Sequence, residues 1–205
     1  MNDNSHLAPV LTEILNQKPY ASRVSKLLFE TLINCDGRTF RAVEEELDFL
    51  EQIPGSLPTR TKKQKRLHGE ILGNLKHTHY FTSEHLIENI RLYWAAEGNQ
   101  AEVVKMKEDI SRAKESGLSD AQLWAFAGQF AETLTGAYGT RRSARKLTGE
   151  WIVYSSIDGE NYYLDLAVHA ELSDEQALFD RLKSGCPEFP FCFQAPFENL
   201  AEKSE

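Results

Sequence analysis

Glu150-Trp151-Ile152-Val153-Tyr154, a turn containing Asp158-Gly159, and Asn161-Tyr162-Tyr163-Leu164-Asp165-Leu166 decide the fold of this 205-residue chain. Both flanks are rich in aromatic and β-branched residues, which suit a pleated, packed surface. Asp-Gly between them matches the type I′ turn, whose two central residues need positive φ. The stretch therefore predicts a β-hairpin. With Asp158 and Gly159 as the loop, Trp151 is expected opposite Leu166, Val153 opposite Leu164 and Ser155 opposite Tyr162. Side chains alternate across a sheet, so these residues would form the buried face. The other face would present Ile152, Asp165, Tyr154 and Tyr163, with His169 near the strand end.

Outward from the hairpin the chain reads as helical. Downstream, Ser173-Asp174-Glu175-Gln176 matches a capping box that opens a helix through Leu178, Phe179 and Leu182, and Phe189–Phe193 suits an edge strand. Upstream, Ser119-Asp120-Ala121-Gln122 caps a helix carrying Leu123, Trp124, Phe126, Ala127, Phe130, Ala131 and Leu134. It is apolar over more than half its circumference, which predicts a central position. A charged helix is expected over 100–115. Another begins near Thr82 or Ser83 and would bury Leu86, Ile87, Ile90 and Trp94, and a short one is expected over 65–75.

The first fifty residues repeat helical spacing over 9–16, 20–33 and 39–50, the last with Thr39 as its cap. Pro54 and Pro58 end this block. The organisation predicted is an N-terminal helical segment (1–53), a basic loop (54–66) and a helical core with the C-terminal hairpin and helix (67–205), together one compact domain. The fold class is α+β, helix-rich, with about seven helices and a small antiparallel sheet built on the hairpin.

Composition narrows the function classes. No run of about 18 apolar residues exists, so no membrane span is expected. The first residues lack the basic and apolar regions of a secretory signal. Three cysteines, Cys35, Cys186 and Cys192, form no CxxC pair, which predicts reduced thiols in the cytoplasm. Neither a nucleophile elbow, a phosphate-binding Gly-Lys loop nor a dinucleotide fingerprint appears, and no cofactor is called for.

The net charge is −8, yet Arg60, Lys62, Lys63, Lys65 and Arg66 fall within seven positions. A basic patch on an acidic body can hold a polyanion or dock on an acidic partner, and the plainer alternative is a solvated loop. Directly after it come His68, His77, His79 and His85, four of the six histidines. Imidazole trades protons near neutral pH. A second basic cluster, Arg141, Arg142, Arg145 and Lys146, precedes the hairpin.

Together these residues suggest a protein facing RNA or single-stranded nucleic acid, with metal-independent phosphodiester cleavage as the accompanying chemistry. His169, His77, His79, Tyr163 and Asp165 are the expected catalytic groups. Arg60, Lys62, Lys63, Lys65, Arg66, Arg141, Arg142 and Arg145 would hold phosphates, and Tyr154 would stack on a base. The first alternative is a non-enzymatic protein-interaction or regulatory protein, its acidic body and basic loop docking on another protein. The second is a metal-dependent hydrolase, because His77 and His79 project to one side of an extended segment. No further ligands follow at usual zinc spacing, so no metal site is assigned.

Overall fold

The computed structural model describes residues 7–59, 61 and 64–194. Among these residues, seven α-helices and a four-stranded antiparallel sheet make the fold α+β and helix-rich, as expected. Strands β1 (Lys65–Arg66), β2 (Lys76–Tyr80), β3 (Glu150–Ile157) and β4 (Glu160–Ala167) lie side by side in chain order. The hairpin of β3 and β4 turns where predicted, with positive φ at Asp158 and Gly159. Next to the turn its register is the expected one, Ser155 pairing with Tyr162. A bulge between Val153 and Tyr154 then slips the pairing by one, so Val153 faces Asp165 and Trp151 faces Ala167.

Helices α1 (Ala8–Asn16), α2 (Lys26–Asn34) and α3 (Gly37–Leu50) cover one face of the sheet. Their apolar stripes, including Leu15, Leu28, Leu32, Val43 and Leu47, close over Tyr80, Ile152, Tyr154 and Tyr163. Ser25 caps α2 and anchors it to the sheet. Its Oγ accepts from Leu28 N at 2.9 Å and donates to the Leu164 carbonyl at 2.5 Å. Asp36, rather than Thr39, caps α3, and Thr39 donates its hydroxyl to Asp36 Oδ2. Hydrogen bonding to Thr39, opposed by burial and helped by the backbone amides of 38 and 39, holds the Asp36 carboxyl below its ordinary range.

The opposite face is covered as well. Leu67, Leu72, Leu75, Trp151, Val153 and Leu164 pack with α7 (Glu175–Gly185), through Leu178 and Leu182, and with Phe189 and Cys192. The hairpin is therefore buried on both sides, which corrects the expectation of one wet face. Apolar residues occupy both alternating sets of β3, and a strand of that kind needs two covering layers.

Three local readings change. Residues 65–75 form β1 and the turn into β2 instead of a helix, because Gly69 takes a φ of +101°, which a helix cannot accommodate. Pro190–Phe193 is a 3₁₀ turn instead of a strand. Helices α4 (Leu86–Ala95), α5 (Gln100–Glu115) and α6 (Asp120–Ser143) pack mainly on one another, so α6 is peripheral rather than central. On α4 the residue buried is Asn89, and Ile87 is 73% exposed. Asn89 holds α4 against the approach to β3, donating to the Thr148 carbonyl at 2.7 Å and accepting from Thr148 N at 2.8 Å. Among the described residues no helix is long and apolar enough to cross a membrane.

Candidate functional site

Two residues apart on β2, His77 and His79 project from the same face of the sheet. Trp151 pairs with His79 across the ladder, and Val153 pairs with His77. The His77 ring lies 5.3 Å from that of His79 and 4.6 Å from the Trp151 indole. Immediately after β4, a 3₁₀ segment (His169–Asp174) turns over this face and delivers His169. Its ring stands 4.6 Å from Trp151 and 5.6 Å from His79. Folding thus brings His77, His79 and His169 together around one indole.

These groups line a cleft of about 280 Å³. His77, His79 and Trp151 are buried in it, while His169, His68 and Lys65 are exposed. Leu67, Leu172 and Glu175 complete the walls. Glu175 is the first residue of α7, and its carboxylate sits against the backbone of Gly69, where a Cβ would collide with it.

Hydrogen bonds set the roles of two imidazoles. Trp151 Nε1 donates to His79 Nε2 at 3.0 Å. An indole nitrogen can only donate, so His79 Nε2 carries no proton there and the ring is neutral with its hydrogen on Nδ1. His169 is oriented differently. Glu150 Oε2 accepts from the His169 backbone N–H at 3.0 Å and from its Nδ1 at 3.1 Å. With Nδ1–H committed to a carboxylate, Nε2 of the neutral ring is left as the basic nitrogen.

The remaining expected residues lie elsewhere. Tyr163 is buried beneath the N-terminal helices, where its hydroxyl donates to Glu51 Oε1 at 2.7 Å. Tyr154 is buried on the same side and donates to Gln64 Oε1. Burial pushes both phenols well above the ordinary range, so neither trades protons near neutrality. Neither ring is open to a base, which corrects the exposed tyrosine face. Asp165 is buried in an ion pair with Arg181 and accepts from Thr31 Oγ1 at 3.0 Å. It is a structural carboxylate and does not line the histidine cleft.

Of the basic residues, Lys65 borders the cleft and Arg66 follows it, exposed, on β1. Arg60, Lys62 and Lys63 lie outside the described residues. Arg141 is engaged at the end of α6, donating to Asn89 Oδ1 at 3.3 Å and to the Lys146 carbonyl at 2.5 Å. Arg142 and Arg145 are exposed and do not border the cleft. His85 accepts from Thr82 N through Nδ1 at 3.0 Å, capping the turn before α4.

Three features were missing from the sequence reading: Trp151 as the hub, Glu150 as the partner of His169, and Glu175 as a wall. A carboxylate at the first position of a strand is a local signal for Glu150, but only the return of the chain after β4 pairs it with His169. Among the described residues no group of three or more His, Cys, Asp or Glu is placed to hold a metal ion. Comparison with protein-family models, with curated proteins and with solved structures finds no match for this chain.

Proposed function

We propose that this chain binds RNA or another single-stranded nucleic acid and that the histidine cleft cleaves the phosphodiester backbone of RNA, through its 2′-hydroxyl, without a metal. The observation that carries the reading is the convergence of His77, His79 and His169 beside Lys65. In the proposed reaction His169 Nε2 takes the proton of a 2′-hydroxyl, with Glu150 holding the imidazolium that forms. The 2′-oxygen bonds to phosphorus while the bond to the 5′-oxygen breaks, leaving a 2′,3′-cyclic phosphate. His77, in its protonated form, gives a proton to the departing oxygen. Lys65 offsets the charge of the phosphorane. His79, held neutral by Trp151, positions the site.

A cleft of about 280 Å³ suits one phosphate with its sugar. Flanking nucleotides would then follow the exposed Lys65 and Arg66. Three free cysteines, two of them buried, support a reducing cytoplasm as the setting.

The test is turnover of a labelled single-stranded RNA in excess EDTA. His169→Ala is expected to lower the rate by about 10²–10⁴-fold, the usual worth of a general acid or base. Lys65→Ala is expected to weaken binding and flatten its salt dependence. Wild-type protein that neither binds nor cleaves RNA at low salt would overturn the proposal. The interaction-protein reading has its own support, the exposed apolar surface of α6.

A further inference from the structure

Helix α6 has 24 residues and is about 36 Å long. One stripe of it, Phe126, Phe130, Leu134 and Ala137, turns towards α4 and α5 and is at least half-buried. A second stripe lies about a third of a turn further round. It contains Trp124, Ala127, Ala131, Thr135 and Arg142, all exposed, Trp124 to 78%, and also Tyr138, which is partly buried where its ring stacks on Phe81. Between Ala121 and Thr140 the helix carries a single charge, Glu132, which projects off this stripe.

We propose that this second stripe is a homodimer interface, in which α6 packs antiparallel on α6 of a second copy. Charge and shape commit it to that occupant. In an isologous antiparallel pair, positions equidistant from the midpoint meet, each contact occurring twice. With the midpoint near residue 133, Trp124 meets the partner's Arg142, and Ala131 meets the partner's Thr135. Guanidinium against indole is a favourable pairing, made here at both ends of the interface. The two helix dipoles oppose each other. Between Trp124 and Arg142 the stripe carries no carboxylate, so two acidic bodies can approach there without repulsion at the contact. A parallel pair would set Trp124 against Trp124 and bring the Arg142 side chains together.

One helix pair is a small interface, so the dimer is expected to dissociate in the micromolar range. Sedimentation velocity of the full chain between about 1 and 100 μM tests it. The wild type is expected to shift from 23.3 kDa towards twice that mass. Trp124→Arg, which faces like charge in the partner's Arg142, is expected to stay monomeric throughout. Arg142→Glu alone, at another exposed position, is expected to dimerise at least tenfold more weakly. The double variant W124R/R142E restores opposite charges across the antiparallel contact and is expected to dimerise again. Far-UV circular dichroism checks that each variant remains folded. A wild type that is monomeric at 100 μM, a Trp124→Arg protein that still dimerises, or a double variant no better than Trp124→Arg would each overturn the proposal.

Discussion

Trp151 Nε1 lies 3.0 Å from His79 Nε2, and that contact makes the cleft floor a fixed element rather than a mobile base. The indole can only donate, so protonating His79 Nε2 would set two donors against each other. Trp151 also stacks near His77 and His169, so a single side chain spaces three imidazoles.

Replacing Trp151 with Phe keeps an aromatic ring in the floor and removes the donor. His79 Nε2 is then buried without the indole it accepts from, and a small void opens beside Val153 and Ala167. The expected loss is about 2–3 kcal/mol, combining the lost indole hydrogen bond with lost packing. A lower urea midpoint at unchanged m-value would report it. Nitrogen-15 NMR of labelled histidine is expected to show His79 as the Nδ1–H tautomer in the wild type and a mixture in the variant.

Gly69 joins β1 to β2 at a φ of +101°, with the Glu175 carboxylate where a Cβ would stand. Gly69→Ala therefore incurs both backbone strain and a collision, for about 1–3 kcal/mol in all. The two causes separate in a Glu175→Ala background, where only the strain remains. Alanine at 69 should lower the melting temperature in both backgrounds, and by less when Glu175 is absent. Equal effects would mean that the carboxylate moves aside freely.

What could be read from the chain was its local chemistry. Asp158-Gly159 sets its own turn through φ, and His77 and His79 share a face because strand side chains repeat every two residues. The meeting of His79 with His169 depends on a sheet covered on both sides and on a 3₁₀ turn after β4, neither of which is encoded nearby. The same two-sided covering buried Tyr154 and Tyr163, which alternation alone had placed in water. Helix α6 failed in the opposite sense. Apolar residues around most of its circumference predicted a central helix, yet its buried contacts come mainly from Phe126, Phe130, Leu134 and Ala137. The helix expected over 65–75 is replaced by a strand and a turn because Gly69 takes a positive φ, which spacing alone does not report.

Glu51 binds the N-terminal helices to the hairpin, and its ionisation gives the fold a pH dependence. Arg23 Nη2 donates to Glu51 Oε2 at 2.5 Å, Arg23 Nη1 reaches Oε1 at 2.8 Å, and Tyr163 Oη donates to Oε1 at 2.7 Å. Burial works against the charged carboxylate, but these bonds outweigh it and hold Glu51 below the ordinary carboxylate range. A group whose folded pKa is depressed stabilises the fold above its unfolded pKa, about 4.3 here, and loses that contribution as pH falls through the folded value. Glu51→Gln keeps an acceptor for Tyr163 but strips Arg23 of its closest counter-charge, and is expected to cost about 2–4 kcal/mol at pH 7. Urea unfolding from pH 7 to pH 3 should show the gap between wild type and variant narrowing below about pH 4.5, because the wild type alone loses the charged pair. A gap that stayed constant across that range would show that packing around residue 51, and not its ionisation, sets the difference.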